Sequence, residues 1–125
     1  MAWEVVLLEE VHQWFVGLLA NDEGTATLVA AALDLLEQEG PVLGRPLVDR
    51  IQGSTVHNLK ELRPGSRGTS EVRILFAFDP VRRAVLLVAG DKSGEWSGWY
   101  ERSVPLAEDR LRRWIAGDYQ EDIGG

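Results

Sequence analysis

The pattern of apolar and polar positions in the first third of the chain predicts one strand and two helices. Residues 3–8 form a short apolar run with β-branched members, which indicates a strand. Apolar side chains at helical spacing then predict an amphipathic helix over residues 9–20. A second apolar stripe predicts a helix over residues 23–39, which should end where Gly40 precedes Pro41.

The pattern in the remainder of the chain predicts a meander of strands followed by a helix. Residues 40–57 hold three glycines and two prolines and are expected to form a long connection. Short joins between the next apolar runs favour antiparallel strands near residues 57–63, 71–79 and 84–91. We expect a tryptophan-rich turn over residues 96–100. Ser103 should cap a final helix that ends at Gly117.

This order of elements, β-α-α-β-β-β-α, predicts an α+β fold in which helices pack on one face of a small antiparallel sheet. Alternation along a strand sets which side chains share a face. Phe76 and Phe78 should face the helices, so Arg73 should point away from them. By the same alternation, Glu61 and Arg63 should emerge beside Arg73.

Composition limits the classes of protein that the chain can represent. A length of 125 residues with 45% hydrophobic content suits one domain, taken as residues 1–117, followed by an acidic tail at 118–125 that should fray. The absence of cysteine excludes disulfides, thiolate metal sites and a cysteine nucleophile. Two histidines, at positions 12 and 57, are too few and too separated to predict a metal site. No cofactor motif, signal segment or membrane-length apolar run is present, so a cytoplasmic protein without a cofactor or membrane partner is expected.

Charge is distributed unevenly along the chain. The net charge is −7, yet residues 54–92 carry seven basic and four acidic side chains. Cations repeated on successive strands predict an electropositive sheet surface that fits a phosphate-bearing ligand. The alternative is that exposed strands carry lysine and arginine to remain soluble.

An ordered set of motifs in this basic segment resembles a known family. Glu61-Leu62-Arg63 is followed by a glycine-containing turn, then by Arg73-Ile74-Leu75, and Lys92 follows the next apolar strand. Together with the order of elements over residues 3–116, this set is similar to the phage Gp49-like branch of the HigB/RelE toxin superfamily. The resemblance implies a toxin that cleaves mRNA on the ribosome. It also implies a cognate antitoxin, often a helix-turn-helix protein from a neighbouring gene, through which the pair would bind operator DNA.

The implied reaction needs no metal, because RNA supplies its own nucleophile in the 2′-hydroxyl. Arg73 and Arg63 suit stabilisation of charge on the reacting phosphate, since guanidinium groups bind phosphate oxygens in a bidentate manner. Lys92 could bind the same phosphate or protonate the leaving 5′-oxygen. Glu61 could act as the general base. Its alternative role is an ion pair that orients a neighbouring arginine.

Five further residues are candidates for binding RNA: Lys60, Arg67, Arg82, Arg83 and Tyr100. The arginines lie in predicted turns, where simple solvation is the alternative role. Lys60 lies on the opposite strand face from Glu61 and could be an edge or snorkelling lysine. Tyr100 could stack on a base or anchor a helix to the core. Because the chain is acidic overall, a second hypothesis is a non-catalytic protein of the same fold that binds a protein partner or nucleic acid.

Overall fold

The secondary structure follows the predicted order, with one additional strand. The computed structural model describes residues 2–56, 58–65 and 68–119, so His57, Arg67 and most of the predicted acidic tail lie outside the described residues. Within them, the elements are β1 Glu4–Leu7, α1 Glu9–Asn21, α2 Glu23–Glu39, a 3-10 turn Gly40–Val42, β2 Val48–Arg50, β3 Lys60–Leu62, β4 Val72–Phe78, β5 Arg83–Asp91 and α3 Trp96–Ile115. The predicted α+β class is confirmed.

The strands form one five-stranded sheet in the order β1-β5-β4-β3-β2. Strands β2 to β5 pair antiparallel, and for β3, β4 and β5 the short joins predicted this pairing. Strand β1 instead pairs parallel with β5, with Glu4 opposite Arg83, so the sheet is mixed and not antiparallel throughout. A parallel neighbour requires a long connection, and here α1, α2 and strands β2 to β4 lie between the two strands in sequence.

Helices α1 and α2 cover one face of the sheet, as predicted. Val29 and Leu36 of α2 belong to a buried cluster that also contains Ile74 and Phe76 of β4. Asp22 begins α2 by accepting a hydrogen bond from the Thr25 N–H through its side chain. None of the helices in the described part of the chain is both long and apolar enough to cross a bilayer.

Helix α3 covers the opposite face, which the prediction of helices on a single face did not include. Leu111 and Trp114 of α3 share a second buried cluster with Leu75 and Ala77 of β4. The physical reason lies in the central strands, because every residue from position 74 to 77 is buried. A strand that is apolar on both sides must be covered on both sides.

Helix α3 begins at Trp96, so the predicted N-cap at Ser103 was wrong. Ser103 is buried inside the helix and Pro105 follows within it. Ala107 and Leu111 lie on a buried stripe of α3, and this stripe extends towards the N-terminus as far as Trp99. That spacing of three and four residues, and not the Ser-Pro signal, marks the true extent of the helix. Strand β2 was also missed, because it lies within the glycine- and proline-rich connection.

The predicted register of β4 is confirmed. Arg73 pairs with Gly90 of β5, and Glu61 of β3 pairs with Leu75 of β4. Leu75 belongs to the α3 side of the sheet, so Arg73 and Glu61 point away from α1 and α2. That face is only partly open, because the N-terminal half of α3 lies over it.

Gly90 permits the close approach of α3 to the sheet. A Cβ atom at this position would lie 2.7 Å from Nε1 of Trp99, which is closer than packed atoms can approach. The absence of a side chain at position 90 therefore sets how near Trp99 and its neighbour Tyr100 lie to β4 and β5.

We predict that Gly90→Ala lowers the free energy of unfolding by about 1–3 kcal/mol, because the added methyl group displaces the Trp99 ring. Gly17→Ala is the matched control, since no atom lies within 4 Å of its added Cβ and the position is helical. The control should stabilise the protein by about 0.5–1 kcal/mol. Urea unfolding of the three proteins measures both effects, and equal stability of Gly90→Ala and the parent protein would contradict the close contact.

Candidate functional site

A continuous set of polar contacts joins β3 to α3 on the face that α3 partly covers. Glu61 is 2% exposed, and its two carboxylate oxygens accept hydrogen bonds from different side chains. Arg63 Nε donates to Oε1 at 2.8 Å, and the Tyr100 hydroxyl donates to Oε2. Glu61 is thus a buried carboxylate that fixes one cation and one phenol.

Strand β2 adds a second carboxylate to this set. Asp49 Oδ2 accepts from Arg63 at 3.2 Å and lies 3.2 Å from Nε of Arg45. The backbone N–H of Arg50 and the Arg45 side chain lower the pKa of Asp49. Arg63 consequently lies between two acidic groups, and its hydrogen bond to Glu61 raises the pKa of the guanidinium.

Arg73 reaches the same set from β4. Its side chain interacts with the Tyr100 hydroxyl, and one terminal nitrogen donates to the Val72 carbonyl at 2.8 Å. Its Nε is buried and has no hydrogen-bond partner among the described residues. A buried donor without an acceptor costs free energy, so this nitrogen marks a position where an acceptor from a ligand would be favourable.

Lys92 follows β5 and lies under an aromatic cover. It is 3% exposed, with Nζ 3.8 Å from Glu71 and 3.2 Å from the centroid of the Trp96 ring. Nζ also lies 5.9 Å from the centroid of the Tyr100 ring. The ammonium group is therefore held by cation–π contacts and one carboxylate, with little access to solvent.

The structure thus brings together five predicted residues: Arg63, Arg73, Lys92, Glu61 and Tyr100. We call these five residues and Asp49 the Glu61 network. Asp49 was not among the predicted residues, because β2 itself was missed. A strand of three residues shows too little alternation to be recognised, so no sequence signal marked Asp49.

Lys60 does not join the Glu61 network. It points to the other face of β3, where its Nζ lies 5.3 Å from the centroid of the Phe78 ring. Burial and, to a smaller degree, the charge of Arg50 lower the pKa of Lys60. Arg67, another predicted RNA-binding residue, lies outside the described residues.

Two further predicted residues lie at the opposite end of the β4–β5 hairpin from Arg73. Arg82 stacks over the Trp3 ring, 4.3 Å from its centroid. Arg83 Nε donates to Asp79 at 2.7 Å. These contacts anchor the hairpin turn, and they keep both arginines away from the Glu61 network.

The geometry of Glu61 supports the ion-pair role that the sequence left open. Each of its oxygens accepts a hydrogen bond from a neighbouring side chain, and the group is buried. The arrangement as a whole can hold an anion, because three cationic side chains are fixed on neighbouring strands. In the part of the chain that the structure describes, no group of acidic or histidine side chains is suited to hold a metal ion.

Comparison with known proteins gives a consistent family assignment. Residues 17–112 match the family described as phage derived protein Gp49-like (DUF891). The chain is 52% identical over 115 residues to "Putative toxin HigB3" of Mycobacterium tuberculosis (strain ATCC 25618 / H37Rv), an alignment that covers 92% of this chain and 96% of the relative. It is 50% identical over 109 residues to "Putative toxin HigB2" of the same organism, covering 87% of this chain and 53% of the relative, so it spans about half of that protein.

No solved structure gives a significant match. The chain belongs to the phage-derived Gp49-like family and is a toxin of the HigB/RelE type. The resemblance drawn from Glu61-Leu62-Arg63, Arg73-Ile74-Leu75 and Lys92 is therefore confirmed.

The two tyrosines of the chain allow a direct test of the Glu61 network. Burial, followed by the hydrogen bond to Glu61, raises the pKa of Tyr100 to about 12. Burial, followed by the hydrogen bond to Glu10, raises the pKa of Tyr119 to about 12. An unfolded tyrosine titrates near pH 10, so the folded protein retains protons that the unfolded chain loses between about pH 10 and 12. The stabilisation from both groups is complete below pH 10 and is lost as the pH rises towards 12.

We therefore predict that tyrosinate absorbance of the folded protein rises with a midpoint near pH 12, against about pH 10 in denaturant. Stability measured by urea unfolding should fall over the same range. Tyr119→Phe leaves Tyr100 as the only tyrosine and isolates its titration. A midpoint near pH 10 in that variant would show that Tyr100 does not donate to a buried Glu61.

Proposed function

We propose that this toxin is an endoribonuclease that cleaves mRNA on the ribosome and thereby inhibits translation. The observation that carries the proposal is Arg73, a guanidinium on a rigid central strand with a buried Nε that lacks an acceptor among the described residues. The family resemblance implies the same activity. Arg63 and Lys92 lie in the same network and add positive charge where a phosphate would bind.

In the proposed reaction, the 2′-hydroxyl of one nucleotide attacks the adjacent phosphorus. A bond forms between the 2′-oxygen and phosphorus, and the bond to the 5′-oxygen of the next nucleotide breaks, which leaves a cyclic phosphate and a free 5′-hydroxyl. The proton lost from the 2′-hydroxyl is balanced by one gained at the leaving oxygen. Arg73 stabilises the negative charge on the non-bridging oxygens, which is greatest in the transition state.

The other members of the network have supporting roles in this proposal. Glu61 is a positioning residue, because it holds Arg63 and Tyr100 in fixed orientations through its two oxygens. Lys92 is covered by Trp96, so a direct contact between Nζ and phosphate requires the Trp96 side chain to move. The phosphate contact is therefore assigned to Arg73 in preference to Lys92.

We further propose a cognate antitoxin as the protein partner, of the helix-turn-helix type encoded by a neighbouring gene. In that case the pair would reach operator DNA through the antitoxin. An acidic or helical segment would suit the partly basic face around Arg73, by docking in the groove or by adding a strand to the sheet edge.

The alternative function is a non-catalytic interaction protein of the same fold. The observation in its favour is the charge balance of the site, because Arg63 and Lys92 already have carboxylate partners and the chain carries a net charge of −7. In this alternative the network would be structural, and its replacement would change binding or stability without affecting RNA.

Arg73→Ala should lower the rate of mRNA cleavage roughly a hundredfold, because loss of one such contact typically removes about 3 kcal/mol of transition-state stabilisation. Arg73→Lys should recover only part of the rate, since lysine cannot form the bidentate contact. Mapping of new mRNA 5′ ends in a translation reaction measures the rate. Arg102→Ala is the matched control, an arginine of α3 whose side chain is 61% exposed and pairs with Glu95.

Thermal unfolding of each variant shows whether the fold is retained. If folded Arg73→Ala cleaves as fast as the parent protein, Arg73 does not contact the reacting phosphate. If the parent protein itself cleaves no RNA in the translation reaction, the non-catalytic alternative is favoured.

Co-expression tests the proposed partner. The product of the adjacent helix-turn-helix gene should form a stable complex with the toxin and abolish its growth arrest. Arg73→Ala should still enter this complex, because it retains the fold. Purification of the toxin alone, without growth arrest and without binding to that product, would argue against an antitoxin.

A further inference from the structure

A pocket lies at the end of the β2–β3 hairpin, next to the Glu61 network. Its volume is about 200 Å³. Ile51, Val56 and Leu59 supply apolar lining, and all three contact the core on the α3 side of the sheet. Gln52 and Asn58 supply polar groups, so an apolar floor is combined with hydrogen-bonding groups, as in sites for small ring systems.

The loop that forms this pocket is fixed from beneath by α3. Glu108 is buried, and one of its oxygens accepts hydrogen bonds from the Ser54 hydroxyl and the Thr55 N–H, each at 2.7 Å. Ser54 in turn accepts from the Val56 N–H at 3.1 Å. These contacts hold the backbone of residues 54–56 in place before any ligand arrives, which lowers the entropic cost of binding.

One of two neighbouring cations lines the pocket. Arg50 of β2 lines it and is directly opposite Lys60 of β3, whose side chain lies against the Phe78 ring on the other face of the sheet. Like charges opposite one another on antiparallel strands are destabilising. Among the described residues, neither side chain has a carboxylate partner, although the chain contains 20 acidic residues. Arg50 therefore carries a charge at the pocket that no described carboxylate neutralises, which fits an anionic ligand.

The position of the pocket relates it to the proposed reaction. Leu59 lines the pocket and Glu61 lies two residues further along the same strand, on the same face. Two residues of strand span roughly 6–7 Å. Glu61 is opposite Leu75, and Arg73 lies two residues of β4 further from the pocket, so the pocket and Arg73 are separated by roughly 13 Å along the sheet. A bound strand could therefore place one base in the pocket while a phosphate further along the strand lies at Arg73.

We propose that this pocket binds a base of the RNA strand, with the adjoining phosphate at Arg50. The inference rests on the proposed function for the identity of the polymer. In this proposal, the loop selects the bases near which the toxin cleaves. The sequence did not indicate this role. Asn58 and Gln52 are the side chains that would discriminate between bases, because amides pair with base edges.

Asn58→Gly isolates the base contact without disturbing the backbone. Asn58 has a φ of 68°, a left-handed conformation that glycine adopts without strain. The variant therefore removes the amide and retains the loop. Arg50→Gln tests the phosphate contact. Arg113→Gln is the matched control, an exposed arginine near the end of α3 that pairs with Asp109.

Two measurements separate this inference from the proposed function. In the first, binding of short single-stranded RNAs of different base composition is followed by fluorescence anisotropy. Asn58→Gly should change the preference between RNAs by about tenfold. Arg50→Gln should weaken the binding of all of them and reduce its salt dependence, while Arg113→Gln should do neither. In the second, cleavage positions on mRNA are mapped for each variant, and Asn58→Gly should alter the bases that flank the cuts.

Unchanged preference in Asn58→Gly together with unchanged affinity in Arg50→Gln would overturn the pocket as an RNA site. If the parent protein cleaves and the flanking bases are the same in Asn58→Gly, the pocket does not select them. If the parent protein binds RNA in the predicted manner but cleaves none, the proposed reaction fails while the pocket assignment stands.

Discussion

The structure depends on the burial of both faces of its two central strands. Strands β4 and β5 are apolar on either side, so the sheet is stable only when helices lie above and below it. Helices α1 and α2, which come from the first third of the chain, cover one face. Helix α3 satisfies the other, and in doing so it brings Tyr100 to Glu61 and Arg73. The packing of α3 against the core therefore also assembles the Glu61 network.

The charges of the network illustrate how an acidic protein can hold a group of cations. Glu61 and Asp49 neutralise Arg63, and Glu71 lies near Lys92. These pairs offset the cost of placing cations close together and partly out of water. Arg73 differs, because its polar contacts within the described residues are with a phenol and a backbone carbonyl. The other cations of the network have carboxylate neighbours, so an added anion would stabilise Arg73 more than it would stabilise them.

Sequence reasoning identified the order of elements, the register of β4 and most of the network, because alternation places Arg73 and Glu61 on one face. It failed where local signals conflicted with tertiary packing. Ser103 and Pro105 indicate a helix start, yet the requirement to cover Leu75 extends α3 back to Trp96. Strand β2 has only three residues, too few for a periodic signal, so Asp49 was also missed. The pocket depends on Glu108, which is remote in sequence from the loop that it holds.

The parallel pairing of β1 with β5 has a consequence for synthesis of the protein. Glu4 is synthesised well before its partner Arg83, because 78 residues lie between them in the chain. Until then, β1 and the apolar sides of α1 and α2 have no sheet to pack against. Folding of the sheet consequently waits for β5, and the face that carries Arg73 and Glu61 is covered only after α3 has followed it.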